Sequence, residues 1–174
     1  VVEVADYLSE YMTQGVGTYA MTLTHFGEEG IVLHRINDAF EVRAEPAFVV
    51  ERMGPTRIYP KEPYRMTLKI TARRDFAGVI TEAIPEDTIL PDKAGGTIEQ
   101  YNGAIRLSWD VALAAGEEKT ISYTFDSPDI SPYLYVFGPL VMKEGEAVAF
   151  EELRTWKVAS DALGSYQEKY SSWT

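Results

Sequence analysis

The sequence predicts an all-β chain folded as a sandwich of two packed sheets. In the segment YRMTLKITARR, alternate residues from Tyr64 to Ala72 are apolar while those between them are polar. A period of two over this length is typical of a strand with one buried and one solvated face. Turn-forming residues also recur at intervals of about 8–12 residues, which favours a sandwich or a barrel. Helices do not alternate with strands, so a doubly wound parallel sheet is excluded.

A second strong signal is Asn102-Gly103, which lies between two strand-like segments, Thr97–Tyr101 and Ala104–Leu113. Asn-Gly favours the type I′ turn of a two-residue hairpin, because both central residues need positive φ. The second arm again alternates, with Trp109 among its inward positions. This region therefore predicts a β-hairpin.

The first 46 residues are predicted to be an arm followed by a β extension. Residues 1–14 place Val1, Val4, Leu8, Tyr11 and Met12 roughly on one helical face, which indicates a short helix or an extended arm. After Gly17 the pattern changes to a meander of short strands. Its turns are predicted at Gly27–Gly30 and at Asn37-Asp38.

The whole chain is predicted to contain about ten strands in three parts. Residues 1–46 form the arm and β extension, which could belong to the same sandwich. Residues 47–161 form the sandwich itself, and residues 162–174 form an aromatic tail.

Composition limits the classes of partner. The chain has 174 residues, 27 acidic against 16 basic, and a net charge of -11. Nucleic acid and anionic membrane surfaces are disfavoured, because both need a basic patch. The apolar runs are shorter than the ~20 residues of a membrane helix, so we expect no membrane insertion. The absence of cysteine excludes thiolate chemistry.

A family resemblance extends over residues 48–161. Its residues are FVVERMGPTRIYPKEPYRMTLKITARRDFAGVITEAIP, LSWDVALAAGEEKTISYTFDSPDISPYLYVFGPL and FEELRTWKVASDA, with a turn at Ala115-Gly116-Glu117. They resemble the C-terminal immunoglobulin-like modules of large repetitive surface proteins from uncultivated bacterial lineages. They are also similar to conserved-repeat domains of bacterial and archaeal surface proteins. The resemblance implies an immunoglobulin-like fold, an extracellular location and modules strung along a stalk or filament.

Two loops are candidates for calcium. Asp126 and Asp129 with Ser131 lie in one loop, and Glu86, Asp87 and Asp92 lie in the other. Calcium takes six to eight oxygen ligands, which loops between strands can supply. The alternative is that these carboxylates are solvated and cap turns. We expect no other cofactor.

Three alternating aromatic residues, Tyr133, Tyr135 and Phe137, are the candidate binding residues. They could form a flat face on which a sugar stacks. They could equally form the inner face of an edge strand.

We expect no catalytic activity. His25 and His34 are the only histidines, and they lie on separate predicted strands, so we interpret them as ordinary strand histidines rather than a metal site. The chain has no Gly-x-Ser-x-Gly elbow, no phosphate loop and no dinucleotide fingerprint.

The function predicted from these observations is structural. The chain is expected to be a module of an exported cell-surface or filament protein that contacts neighbouring domains or subunits. The alternative is an adhesive module that binds carbohydrate or a host surface.

Overall fold

A computed structural model of the chain describes residues 11–59 and 63–160. The chain divides into two compact units, Val1–Glu45 and Pro46–Thr174. Within the described residues, the regular structure consists of fourteen strands and one 3-10 helix. The strands are β1 Gly17–Phe26, β2 Val32–Val42, β3 Phe48–Met53, β4 Arg57–Ile58, β5 Tyr64–Ala72, β6 Phe76–Pro85, β7 Ile89–Asp92, β8 Thr97–Tyr101, β9 Ala104–Leu113, β10 Glu118–Asp126, β11 Tyr133–Phe137, β12 Leu140–Glu144, β13 Ala147–Glu151 and β14 Trp156–Ser160.

The first unit is a long β-hairpin. Strands β1 and β2 pair antiparallel from Gly17 opposite Val42 to Phe26 opposite Val32, and a 3-10 turn at Glu28–Gly30 joins them. The chain before β1 folds back onto it, because the Tyr19 hydroxyl donates to the carbonyl oxygen of Gly15 (2.8 Å) and accepts from its N–H (3.1 Å).

The described residues of the second unit form three sheets. The four-stranded sheet has the order β3-β5-β10-β7, and the five-stranded sheet has the order β13-β12-β6-β9-β8. A three-stranded sheet, β11-β14-β4, includes a parallel pair between β14 and β4. The other pairs are antiparallel, as expected where short turns join neighbouring strands.

The core lies between the inner faces of the four-stranded and five-stranded sheets. Aromatic side chains meet across it: the rings of Phe48 and Phe76 are 5.3 Å apart, and those of Trp109 and Tyr123 are 6.1 Å apart. The alternation read from the sequence is the reason for this packing. The inward positions of β5, Met66, Leu68, Ile70 and Ala72, are all fully buried.

The predicted all-β, immunoglobulin-like sandwich is confirmed, with fourteen strands instead of about ten. The additional strands are short segments, together with two strands formed by one apolar run. The short strands are β4, with two residues, and β7, with four, and the apolar run from Tyr133 to Met142 forms two strands separated at Gly138, whose φ is 85°. Asn102 and Gly103 have φ of 50° and 73°, as the predicted hairpin turn requires.

One predicted turn is wrong. Asn37 and Asp38 lie inside β2, which continues to Val42. Their polar side chains bond within the hairpin: Thr22 Oγ1 donates to Asn37 Oδ1 (2.9 Å), and Asp38 Oδ1 accepts from the N–H of Ala39 (2.8 Å).

The predictions for the two ends fall largely outside the described residues. Residues 11–14 of the predicted N-terminal helix are irregular and not helical, and residues 1–10 lie outside the described range. The predicted aromatic tail, 162–174, also lies outside it.

Candidate interaction surface

The predicted calcium residues lie at the end of β10 and in the loop that follows. Asp126 is the last residue of β10, opposite Ile89 of β7, and Asp129 is exposed three positions later. No group of three or more His, Asp or Glu side chains converges anywhere in residues 11–59 and 63–160. Calcium in this loop therefore stays a prediction, with two carboxylates and backbone oxygens as its ligands.

The three predicted binding rings do not form one platform. Tyr135 and Phe137 are buried, and the Phe137 ring packs 4.6 Å from that of Phe125 in the core. Tyr133 alone is exposed, at 51%, and borders a groove of about 310 Å³ beside the Asn102-Gly103 turn. All three rings lie on the same face of β11, and this face is buried in the sandwich at Tyr135 and Phe137 but exposed at the first residue of the strand, so the inner-face interpretation holds for these two rings and no flat three-ring face is formed.

A buried ion network joins the two main sheets. Arg52 of β3 donates from Nη1 to Glu82 Oε1 of β6 and from Nη2 to Glu152 Oε2 at 2.7 Å. The side chain of Arg52 is 6% exposed and that of Glu82 is completely buried. Glu152 also accepts from the N–H of Leu140 at 2.7 Å, which fixes its carboxylate beside β12.

Burial sets the electrostatics of this network. Burial opposes the charge of Arg52, but Glu82 and Glu152 outweigh it and raise the pKa of Arg52 above its usual value. Burial raises the pKa of Glu82, although Arg52 partly opposes the shift. Tyr123 lies next to Glu82, and burial followed by that carboxylate raises its pKa well above the usual value.

Two oxygens of this network have no hydrogen-bond partner among the described residues. They are Glu82 Oε2 and the Tyr123 hydroxyl, which are near enough for each group to shift the pKa of the other. Because Arg52 and Glu82 are buried in the core, their ion pair can stabilise or specify the fold.

The hairpin of the first unit presents two chemically different faces. Register and alternation place threonines, alanines, Arg35, Asn37 and Glu41 on one face. The opposite face is mostly apolar and is formed by Tyr19, Met21, Leu23, Ile36, Phe40 and Val42, with Asp38 and the two histidines; we call it the apolar hairpin face. On it, the rings of Tyr19 and Phe40 stack 5.1 Å apart at an interplanar angle of 9°.

The apolar hairpin face is open to solvent near its middle. Leu23 and Ile36 lie directly opposite each other and are 61% and 59% exposed. The hairpin is a two-stranded sheet, and in the described part of the chain no third strand pairs with either edge. A two-stranded hairpin is marginally stable alone, and a contiguous exposed apolar surface commonly marks an interface.

The structure also brings the two histidines together. His25 and His34 are paired across the hairpin, with ring centroids 5.7 Å apart and planes 18° from parallel. The sequence reasoning missed this pair because a turn was predicted after Ile36 and the hairpin register was not recognised. Counting back equally from the Gly27–Gly30 turn would place His25 opposite Val32, and the register shift between His25 and Phe26 is what brings His25 opposite His34.

No protein-family model and no curated protein matches the sequence. Among solved structures, the chain is similar to a cohesin module of a family 33 glycoside hydrolase from Clostridium perfringens, with 14% identity, 67% of this chain and 98% of that chain covered, and a TM-score of 0.46. It is also similar to part of a β-glucosidase from Listeria innocua, with 16% identity, 66% of this chain and 16% of that chain covered, and a TM-score of 0.40. These likenesses imply nothing about activity.

No helix in the described residues has the length and apolarity needed to span a membrane.

Proposed function

We propose that this chain is a structural module of an exported cell-surface or filament protein, and that the apolar hairpin face packs against a neighbouring module or subunit. The observation that carries the proposal is the exposed pair Leu23 and Ile36 at the centre of an apolar face. Burying an aliphatic side chain of this size contributes about 1.5–3 kcal/mol, so a partner that covers this face is favoured by the hydrophobic effect.

The rest of the molecule supports a mechanical role and not a chemical one. The sandwich core is filled by apolar side chains, and its buried charges are paired within it. We propose no catalysis and no cofactor for the module. The extracellular location follows from the resemblance to surface-protein modules and is part of the same proposal.

Carbohydrate binding is the weaker alternative. Its predicted platform is reduced to Tyr133, because the other two rings lie in the core. A single exposed tyrosine beside a small groove provides little stacking surface for a sugar.

Photo-crosslinking in the cell that makes the protein tests the proposal. A benzophenone-bearing amino acid replaces Leu23 on the apolar hairpin face, or Ala20 on the opposite face as the matched control. We expect crosslinked peptides from another module or subunit of the same protein at Leu23 and few at Ala20. Crosslinks equally abundant at both positions, or none at Leu23, would contradict the proposal.

A further inference from the structure

The outer edge of β1 differs from the rest of this acidic chain. Its ten residues, GTYAMTLTHF, include no Asp, Glu, Lys, Arg or Pro. By contrast, the net charge of the whole chain is -11, and β2, the strand paired with β1, carries Arg35, Asp38 and Glu41. Native proteins usually protect exposed edge strands with charges, proline or bulges, because an unpaired edge is a template for another strand.

The register of the hairpin has one irregularity, and it lies at the tip. Pairing is regular from Gly17 to His25 and shifts only between His25 and Phe26. The edge of β1 is therefore long and regular over nearly its whole length. Because it is uncharged, two copies can approach along it without the repulsion that two acidic surfaces would feel.

We propose that β1 pairs antiparallel with β1 of a second copy of this chain. The inference rests on the proposed function, since it takes the neighbouring subunit to be a second copy of this chain, joined along the edge of β1. The product is a four-stranded sheet in the order β2-β1-β1-β2, generated by a two-fold axis perpendicular to the sheet. The axis keeps both apolar hairpin faces on one side, where they form a single larger apolar surface.

The two-fold axis restricts the register. Residues directly opposite each other in an antiparallel pair point to the same face, so each residue faces one an even number of positions away. With nearly full overlap, the axis passes through Met21 or through Thr22. The first register places Leu23 opposite Tyr19 of the other copy, and the second places Leu23 opposite Met21.

Both registers bring the two copies of Thr22 close together. The two side chains are directly opposite in one register and diagonal in the other, which is about 8 Å or less. A charge at this position therefore meets its own copy in either arrangement. Like charges at this separation in a sheet destabilise the pair, and opposite charges stabilise it.

The experiment is a charge exchange in the full chain, measured by sedimentation velocity. We expect the unmodified chain to form a concentration-dependent dimer, and both Thr22→Lys and Thr22→Glu to be monomeric. An equimolar mixture of the two variants should recover dimer, because Lys and Glu then face each other. Asn37→Lys is the matched control: it loses the same Thr22–Asn37 hydrogen bond and adds the same charge on β2, and it should still dimerise.

Three results would overturn the inference. They are a chain that stays monomeric at every concentration, a mixture that recovers no dimer, and an Asn37→Lys variant that dissociates as fully as Thr22→Lys. In a monomeric chain, slow exchange of the β1 amides that point away from β2 would show that a segment of the same chain occupies the edge, and would also overturn the inference. If Leu23 crosslinks to a different module while the charge exchange fails, the proposed function stands and this inference falls.

Discussion

Arg52 and Glu82 form an ion pair that spans the core of the sandwich from β3 to β6, with both side chains almost fully buried. A second carboxylate, Glu152, shares the same guanidinium. Removing one member of a buried ion pair leaves its partner charged and uncompensated in a medium that solvates it poorly.

We therefore expect Arg52→Met to lower the free energy of unfolding by about 3–5 kcal/mol. The double variant Arg52→Met with Glu82→Leu should recover part of this loss, because the most deeply buried unpaired carboxylate is then absent. Urea denaturation monitored by tryptophan fluorescence measures the free energy of unfolding of both variants. A double variant less stable than Arg52→Met would show that apolar packing cannot replace the pair.

The pH dependence of stability tests the state of Glu82. Because burial raises the pKa of Glu82, the folded chain holds this proton more tightly than the unfolded chain does. Its contribution to stability is complete below the ordinary glutamate pKa of 4.5 and is lost as pH rises through the raised value. The stability of the unmodified chain relative to Glu82→Gln should therefore fall as pH rises from 4.5 to the raised pKa, and should not change further above it.

The other carboxylates titrate in both proteins, so their effects largely cancel in this difference. Unfolding free energies from denaturant titrations at several pH values provide the comparison. A relative stability that rises with pH would mean that attraction to Arg52 outweighs burial.

The close approach of β6 and β12 predicts a requirement for glycine. A β-carbon on Gly78 would lie 2.0 Å from the carbonyl oxygen of Lys143, which is backbone and cannot rotate away. We expect Gly78→Ala to cost about 1–3 kcal/mol or more, as overpacking does. Gly15→Ala is the control, since nothing lies within 4 Å of its β-carbon position. Thermal unfolding that is equal for the two variants would contradict this packing.

The facing histidines provide a direct test of the hairpin register. Zn²⁺ binds imidazole nitrogen at about 2.0–2.1 Å. Two histidines at directly opposite positions of paired strands can therefore bind the same ion. Added Zn²⁺ should therefore shift the ring resonances of His25 and His34 together in an NMR titration. His34→Asn should weaken the response of His25 at least several-fold. Independent responses of the two rings would show that they do not face each other.

Sequence reasoning was strongest where each strand has one buried face. The alternation from Tyr64 to Ala72 specified both the strand and the face that enters the core. Asn102-Gly103 specified a turn because few residue pairs accept positive φ at both positions. In both places, the residues of the segment itself were sufficient to predict its structure.

Sequence reasoning was weaker where contacts between distant residues determine which side chains are buried. Nothing local indicates that Arg52 is buried, since its carboxylate partners lie 30 and 100 residues away. Nor does alternation distinguish a ring in the core from one on a binding face, which is why Tyr133, Tyr135 and Phe137 left two interpretations open. The continuous β2 was missed because Asn37-Asp38 has turn-like chemistry that the paired strand β1 overrides.

The contacts that close the second unit have a consequence for how it folds. Trp156 Nε1 donates to the carbonyl oxygen of Pro55 at 2.9 Å, 101 residues earlier, and β14 pairs in parallel with β4. Contacts of such sequence separation carry a large loop-closure entropy and slow folding. During synthesis β4 therefore remains unpaired with β14 until nearly the whole second unit has left the ribosome. The sandwich is therefore completed late, when β14 pairs with β4.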